Sequence, residues 1–344
     1  MPRVLIPSDN REIIGHLAAA YRRRGWDAVV GVNNFAWDFA TYDLVHLQWP
    51  EELSGWEPPS QARIAEISAR LDYWNQQARL LLTVHNVRPH LHGDHSAYTA
   101  LFEAVYARVP VLAHFTDTSR RLVESAFPQS AAQSNVVTGF FNLDALLPTT
   151  RDPAAARRAL GIPKDEFVVL IFGALRNWAE VQLLREGFAG ARIPRKRLLM
   201  AGRYQEFGPV WRQRWRRFAW QRWLRTTGSV VAAGFTPDQE IHRLVDAADA
   251  LVAPRINVLN SGLTALAMSF GKILIAPDCG AFPELLDGTQ NPIYPAGDAE
   301  GLARAIERAA SLDGAEVARE NRALADGWSW DALVERGLEA VDLA

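Results

Sequence analysis

Short, almost wholly apolar runs alternate along this chain with longer stretches in which apolar residues recur every three or four positions. Val4-Leu5-Ile6-Pro7 opens the series, and residues 11–24 follow with Ile13, Ile14, Leu17, Ala18 and Tyr21 at helical spacing. Gly25 ends that helix, and residues 28–32 form the next strand. Strands are predicted at 44–47, 80–84, 111–113 and 136–138, with helices over 61–77 and 96–107. The second half repeats the rhythm. Its strands fall at 167–172, 198–202, 230–232, 250–253 and 273–276, and its helices at 239–247, 299–310 and 315–325. The strands read as continuous apolar runs, so both their faces are covered. Alternation of such strands with helices predicts an α/β protein built on doubly wound parallel sheets.

Between residues 142 and 163 the rhythm lapses into Leu147-Pro148-Thr149-Thr150-Arg151-Asp152-Pro153, a short helix and Gly161-Ile162-Pro163, which reads as a linker. A chain of 344 residues suits two Rossmann-like domains. The expected division is 1–150 for the first domain, 151–325 for the second, and 326–344 for a last helix, opened by Trp328-Ser329-Trp330-Asp331, that crosses back to the first. With 49% hydrophobic and 22% charged residues the composition is that of a globular protein. No apolar run approaches the roughly 20 residues of a membrane span, and the amino terminus lacks a signal-peptide pattern, which predicts a cytoplasmic protein. Cys279 is alone, so it forms no internal disulfide and reads as a small filler.

A net charge of −2 argues against nucleic acid as a partner. Local charge differs. Trp211-Arg212-Gln213-Arg214-Trp215-Arg216-Arg217-Phe218-Ala219-Trp220-Gln221-Arg222-Trp223-Leu224-Arg225 holds six Arg, four Trp and no acid. Helical projection puts Trp211, Trp215 and Phe218 on one side and Trp220 and Leu224 on another, so one core cannot take all the rings. Arg with interfacial Trp suits an anionic membrane surface or a lipid diphosphate, and predicts a peripheral position on the inner membrane face. A surface helix whose Arg side chains stack on Trp is the plainer alternative.

The densest chemical signal is Asn260-Ser261-Gly262-Leu263-Thr264-Ala265-Leu266-Ala267-Met268-Ser269-Phe270-Gly271-Lys272, followed by a buried strand and Gly280-Ala281-Phe282-Pro283-Glu284. A polar, glycine-bearing turn at a helix start leaves backbone N–H groups and the positive end of the helix dipole facing outward, which suits an anion such as a diphosphate. With the preceding Gly234-Phe235-Thr236-Pro237-Asp238-Gln239-Glu240-Ile241 and Ala248-Asp249-Ala250-Leu251-Val252-Ala253-Pro254-Arg255, this order resembles the carboxy-terminal half of GT-B glycosyltransferases, close to their family-4-like, group 1 members. The resemblance implies a GT-B fold of two Rossmann-like domains facing a cleft, with the second half holding a nucleotide-diphosphate sugar. Donor contacts are then expected from Gly173, Arg176, Arg203, Arg255, Asn260, Ser261, Gly262, Leu263, Thr264 and Glu284. Arg176 stands where related enzymes carry an Arg facing the donor diphosphate, whereas their following Lys is here Ala179. Retaining members carry a Glu-x7-Glu pair; alignment on Ala267 to Lys272 puts Val258 and Leu266 at its two positions. Both carboxylates are missing, and with them the usual contacts to ribose and donor sugar.

In the first half, His46-Leu47-Gln48-Trp49-Pro50-Glu51 and Thr83-Val84-His85-Asn86-Val87-Arg88-Pro89-His90 resemble loops that line the acceptor side in a bacterial subset of these enzymes. Asp94 and His90 are the candidate bases for an acceptor hydroxyl, with His85, Asn86, Gln48 and Glu51 binding substrate. The cluster His85, His90, His92 and His95 matches no compact zinc motif, so no metal and no cofactor beyond the donor is expected. The reading is transfer of a sugar to a hydroxyl, on a saccharide or a lipid-linked saccharide, by an inverting displacement preferred over retention. A GT-B-shaped scaffold that has lost catalysis, and a nucleotide-sugar epimerase, are the two alternatives.

Overall fold

The computed structural model describes residues 1–9, 11–87, 95–147, 151–202, 204, 209–227, 229–232 and 238–344. They fall into two compact units, one of residues 1–141 with 328–344 and one of residues 142–327.

The first unit contains β1 (Arg3–Ile6), α1 (Arg11–Arg23), β2 (Asp27–Val30), β3 (Leu44–Leu47), α2 (Gln61–Gln77), β4 (Arg79–Thr83), α3 (His95–Tyr106), β5 (Val111–His114), α4 (Asp117–Ala126) and β6 (Ser134–Val137). The strands pair in parallel in the order β2-β1-β3-β4-β5-β6. Val4, Leu5 and Ile6 of β1 are fully buried, as are Leu44 and Val45 of β3, because helices cover both faces of the central strands. Local chemistry sets several helix starts. Ser60 caps α2 by accepting from Arg63 N, and Thr116 caps α4 by accepting from Ser119 N at 3.0 Å.

The second unit runs through α5 (Pro153–Ala159), β7 (Phe167–Phe172), α6 (Trp178–Gly190), β8 (Lys196–Ala201), α7 (Val210–Thr226), β9 (Val230–Ala232), α8 (Asp238–Ala247), β10 (Ala250–Val252), α9 (Gly262–Ser269), β11 (Ile273–Pro277), α10 (Phe282–Leu285), β12 (Ile293–Tyr294), α11 (Ala299–Ala310) and α12 (Gly314–Asp326). Its parallel order is β12-β11-β10-β7-β8-β9. The chain ends in α13 (Trp330–Ala340), which packs within the first unit: Trp330 stacks on Phe141 at 4.3 Å, Arg336 Nη1 donates to Thr138 O at 2.7 Å, and Arg23 pairs with Asp331.

The doubly wound α/β class expected from the sequence is the class observed. Strand ends differ by a few residues. β8 begins at Lys196, ahead of its apolar run, because Phe167 pairs with Lys196 and Arg197 forms an ion pair with Glu166. β12 escaped the apolar pattern altogether; two residues are too few to show a period, and it exists through its pairing of Ala276 with Ile293. Among the described residues no helix is long and apolar enough to cross a membrane.

Strand order fixes where a ligand belongs. In each sheet the order reverses once, between β1 and β3 in the first and between β7 and β10 in the second. Loops leaving the carboxyl ends of such strand pairs diverge to opposite faces and open a crevice. In the second unit the loops after β7 and β8 are drawn together: Gly173 N donates to Ala201 O at 2.8 Å, and Leu175 bridges Tyr204. Gly202, at φ 152°, lies so close that a Cβ there would stand 1.9 Å from Gly173 O. Only glycine fits. Gly202→Ala is therefore expected to destabilise the second unit by about 2 kcal/mol or more, read as a lowered urea midpoint; an unchanged midpoint contradicts the close approach.

Candidate functional site

At the β7/β10 reversal an ion pair joins the two diverging loops. Glu180, in the first turn of α6, is 1% exposed, and its Oε2 accepts from Arg255 Nη1 and from Arg176 N, each at 2.8 Å. Arg255 Nη1 also donates to Ala174 O at 2.8 Å, which ties the loop after β10 to the loop after β7. Asn177 caps α6 by accepting from Glu180 N at 2.9 Å, so one side chain starts the helix that carries the carboxylate. Burial and the nearby Arg255 cation hold the Arg176 guanidinium down at about 10. The Arg255 guanidinium pairs with this carboxylate, whereas Arg176 bonds it through its backbone N–H and its guanidinium feels the charges of both. Arg can present two N–H groups to phosphate oxygens at once.

The Asn260 turn follows on the same edge of the sheet. Ser261 caps α9, its Oγ accepting from Leu263 N at 3.4 Å, and Gly262 is the first helical residue. Thr264 is fully buried, and its hydroxyl has no hydrogen-bond partner among the described residues. The loop after β11 lies against this turn: Ala281 N donates to Leu259 O at 2.8 Å, and a Cβ on Gly280, at φ 60°, would come 2.0 Å from Val258 O. Cys279 in that loop is half-buried, and burial pushes its thiol up. Glu284 lies exposed in α10. Val258 and Leu266 are both buried apolar residues.

The first unit gathers polar groups at its own reversal. Asp9, after β1, donates its N–H to Glu52 Oε1 at 2.6 Å and accepts from Val32 N at 3.2 Å. His85 Nε2 meets Gln48 Oε1 at 2.9 Å, and its ring stacks on Trp49 at 4.1 Å. Asn86 Nδ2 makes a long contact, 3.5 Å, to Glu51 Oε1. Four of the expected substrate-binding residues, Gln48, Glu51, His85 and Asn86, thus come together. Burial drives His85 down to about 3, with His46 adding to the effect, so its ring is neutral and serves as a hydrogen-bonding group rather than a cation. His46 is a core residue held between Tyr21 Oη at 2.9 Å and Thr83 Oγ1 at 2.8 Å. Glu51, 1% exposed, is pushed up to about 7 mainly by burial, with Glu52 contributing. Glu51 Oε2, Glu52 Oε2 and Gln48 Nε2 have no hydrogen-bond partner among the described residues. A buried carboxyl with an open oxygen is uncommon in a core, where buried polar atoms are usually paired.

Asp94, His90, His92 and Arg203 lie outside the described residues. Among the described residues no group of three His, Cys, Asp or Glu is placed to hold a metal ion. Two residues that organise the second-unit site were not singled out by sequence: Glu180 and Gly202. Asn177-Trp178-Ala179-Glu180 is a capping-box pattern, and it was the available signal for Glu180.

Residues 166–311 match the model of a family described as Glycosyl transferases group 1. No curated protein gives a significant match. Among solved structures, sucrose-phosphate synthase from Thermosynechococcus elongatus is similar over 100% of this chain and 98% of its own, with a TM-score of 0.74 at 16% identity. Anabaena Alr3699/HepE in complex with UDP-glucose is similar over 100% of both chains, with a TM-score of 0.73 at 16% identity. The catalytic domain of starch synthase IV from Arabidopsis thaliana, bound to ADP and acarbose, covers 99% of both chains with a TM-score of 0.71 at 13% identity. The fold is that of GT-B glycosyltransferases, as the sequence resemblance implied.

Glu51 yields a prediction with a definite sign. Its folded pKa, about 7, lies above its ordinary 4.5, so between those values the folded state retains a proton that the unfolded state has released. Stability from this group falls as pH rises through that window, by up to about 3 kcal/mol. Glu51→Gln is therefore expected to match wild type in thermal midpoint near pH 4.5 and to exceed it at pH 8. Equal midpoints across the range contradict the buried, protonated carboxyl.

Proposed function

We propose that this GT-B protein, whose second unit matches the group 1 glycosyltransferases, moves a sugar from a nucleotide-diphosphate sugar to an acceptor hydroxyl. The observation that carries the reading is the β7/β10 reversal, where Glu180 holds the Arg255 guanidinium and the backbone N–H of Arg176 beside a chain segment that leads into the amino-terminal end of α9. As the sugar leaves, negative charge grows on the diphosphate. Preplaced guanidinium groups and helix N–H groups stabilise that charge without reorganisation, and two such cations with a helix terminus can suffice without a metal. The backbone of Asn260, Ser261, Gly262 and Leu263, the hydroxyl of Thr264, and Gly173, Arg203 and Glu284 complete the proposed donor site. The solved structures that share the fold include one bound to UDP-glucose and one bound to ADP, which supports a nucleotide diphosphate as the donor's leaving group.

The acceptor is assigned to the carboxyl edge of the first unit, with Gln48, Glu51, His85 and Asn86 orienting a saccharide, free or lipid-linked, and Asp94 taking the proton of its hydroxyl, assisted by His90. Direct displacement with inversion is preferred because Val258 and Leu266 stand where retaining enzymes carry carboxylates. The same absence favours one rival, a binding protein without catalysis.

A thermal-shift panel of UDP, GDP, TDP and ADP, free and as common sugar conjugates, separates these readings. One diphosphate at about 100 times its Kd should add roughly 2.7 kcal/mol, and Arg176→Gln should weaken it at least about tenfold with the fold intact. Binding without slow donor hydrolysis supports the scaffold, and silence across the panel refutes both donor-based readings. Asp94→Asn is expected to cut turnover by about 100-fold or more at unchanged nucleotide affinity. Unchanged turnover removes Asp94 from the mechanism.

A further inference from the structure

α7 carries aromatic rings on both its inner and its outer side. Its inner side is held by Trp220 and Leu224, which are buried in the core of the second unit, and by Trp223, which stacks on Trp220 at 5.1 Å and meets Phe188 edge-on at 6.4 Å. Trp211, Trp215 and Phe218 recur at i, i+4 and i+7 and therefore share one face. That face is opposite the buried one. The three rings are 70%, 61% and 62% exposed, and Val210 at the helix start is 63% exposed. A monomeric helix in water places such residues inward.

The charge around the rings is of one sign. By helical spacing Arg214, Arg222 and Arg225 fall on the aromatic side, with Arg212 and Arg217 flanking it, and all five are exposed. Arg216, nearer the core side, has its guanidinium over the Trp178 ring at 5.3 Å. No acid lies between Trp211 and Arg225. Indole rings sit well at the headgroup level of a bilayer, where their apolar area leaves water and the N–H keeps a partner. Guanidinium groups beside them bind lipid phosphates bidentately.

We infer that α7 is an interfacial anchor that lies flat on an anionic lipid bilayer, with Trp211, Trp215 and Phe218 at the headgroup boundary and the Arg side chains on lipid phosphates. A plane suits this surface better than a polynucleotide does: the contact is one helix face about 25 Å long, on a chain whose net charge is −2. The inference does not depend on sugar transfer. If both hold, the anchor brings the second unit to the surface on which a lipid-linked acceptor is presented.

The test is co-sedimentation of the full chain with vesicles of phosphatidylcholine alone and of phosphatidylcholine mixed with phosphatidylglycerol. Binding is expected only to the mixed vesicles, and it should weaken strongly at roughly 0.5 M salt. The triple variant W211S/W215S/F218S should lose binding about tenfold or more, with a thermal midpoint little changed because the rings are largely exposed and, among the described residues, only Trp215 touches a ring beside the core, Trp178 at 6.3 Å. R214Q/R222Q/R225Q should lose the preference for anionic lipid, which gives a second readout should the aromatic variant misfold. Absence of binding to the mixed vesicles overturns the inference, as does wild-type binding by both variants. Tighter binding to single-stranded oligonucleotides than to vesicles, lost in the same variants, assigns the face to nucleic acid and equally overturns it. Nucleoside-diphosphate stabilisation should be the same in wild type and variants, so failure here is distinct from failure of the donor site.

Discussion

The carboxylate of Glu180 is the point that ties the loops of the second unit together at its strand-order reversal. It is buried, it lies at the one place where the strand order reverses, and it accepts from the loops on both sides of that reversal. A buried carboxylate is expensive unless neutralised and hydrogen-bonded, so it fixes Arg255 in place. Removing either partner would leave the other charged and dry, at a cost of about 3 to 5 kcal/mol. Arg176 meets the same carboxylate through its backbone N–H, so one carboxylate holds the loops after β7 and β10 together. This arrangement is thereby built into the fold rather than assembled when a ligand arrives.

The first unit solves a similar geometric problem with different chemistry. Its reversal carries carboxyl, amide and imidazole groups instead of guanidinium groups, and burial disfavours their charged forms: His85 is pushed down and Glu51 up. A cluster with open hydrogen-bonding atoms suits hydroxyl-bearing ligands, as guanidinium groups suit phosphates. Parallel sheets put both clusters at carboxyl edges, since that is where the connecting loops separate. The identity of each site is thus set by a handful of loop residues on two sheets of closely related design.

Much of this was legible in the sequence because doubly wound sheets leave a strong pattern. Strands such as β1, β7 and β11 are buried on both faces and read as unbroken apolar runs. α2 was read at its observed bounds, 61–77, because Ser60 caps it and its apolar positions keep the helical period. The resemblance to GT-B enzymes rested on the turn before α9 and the loops after β10 and β11, which fall within the segment that matches the group 1 family model. What escaped was non-local. β12 is two residues whose strand character comes from β11, and Gly202 matters only because Gly173 O lies against it. Arg255 could be named as a cation past a strand end, but nothing in one dimension tied it to a glutamate 75 positions earlier. Helical projection of residues 211–225 separated two aromatic faces and could not say which one the core would take; burial of Trp220 and Leu224 decided it.

The most direct measurement of the central claim is a crystal structure with the best-stabilising nucleoside diphosphate bound. Diphosphate oxygens are expected within hydrogen-bonding distance of the Arg176 and Arg255 guanidinium groups and of the first N–H groups of α9, with Glu180 still paired to Arg255. A diphosphate bound elsewhere, or a Glu180–Arg255 pair broken to admit it, would contradict the account.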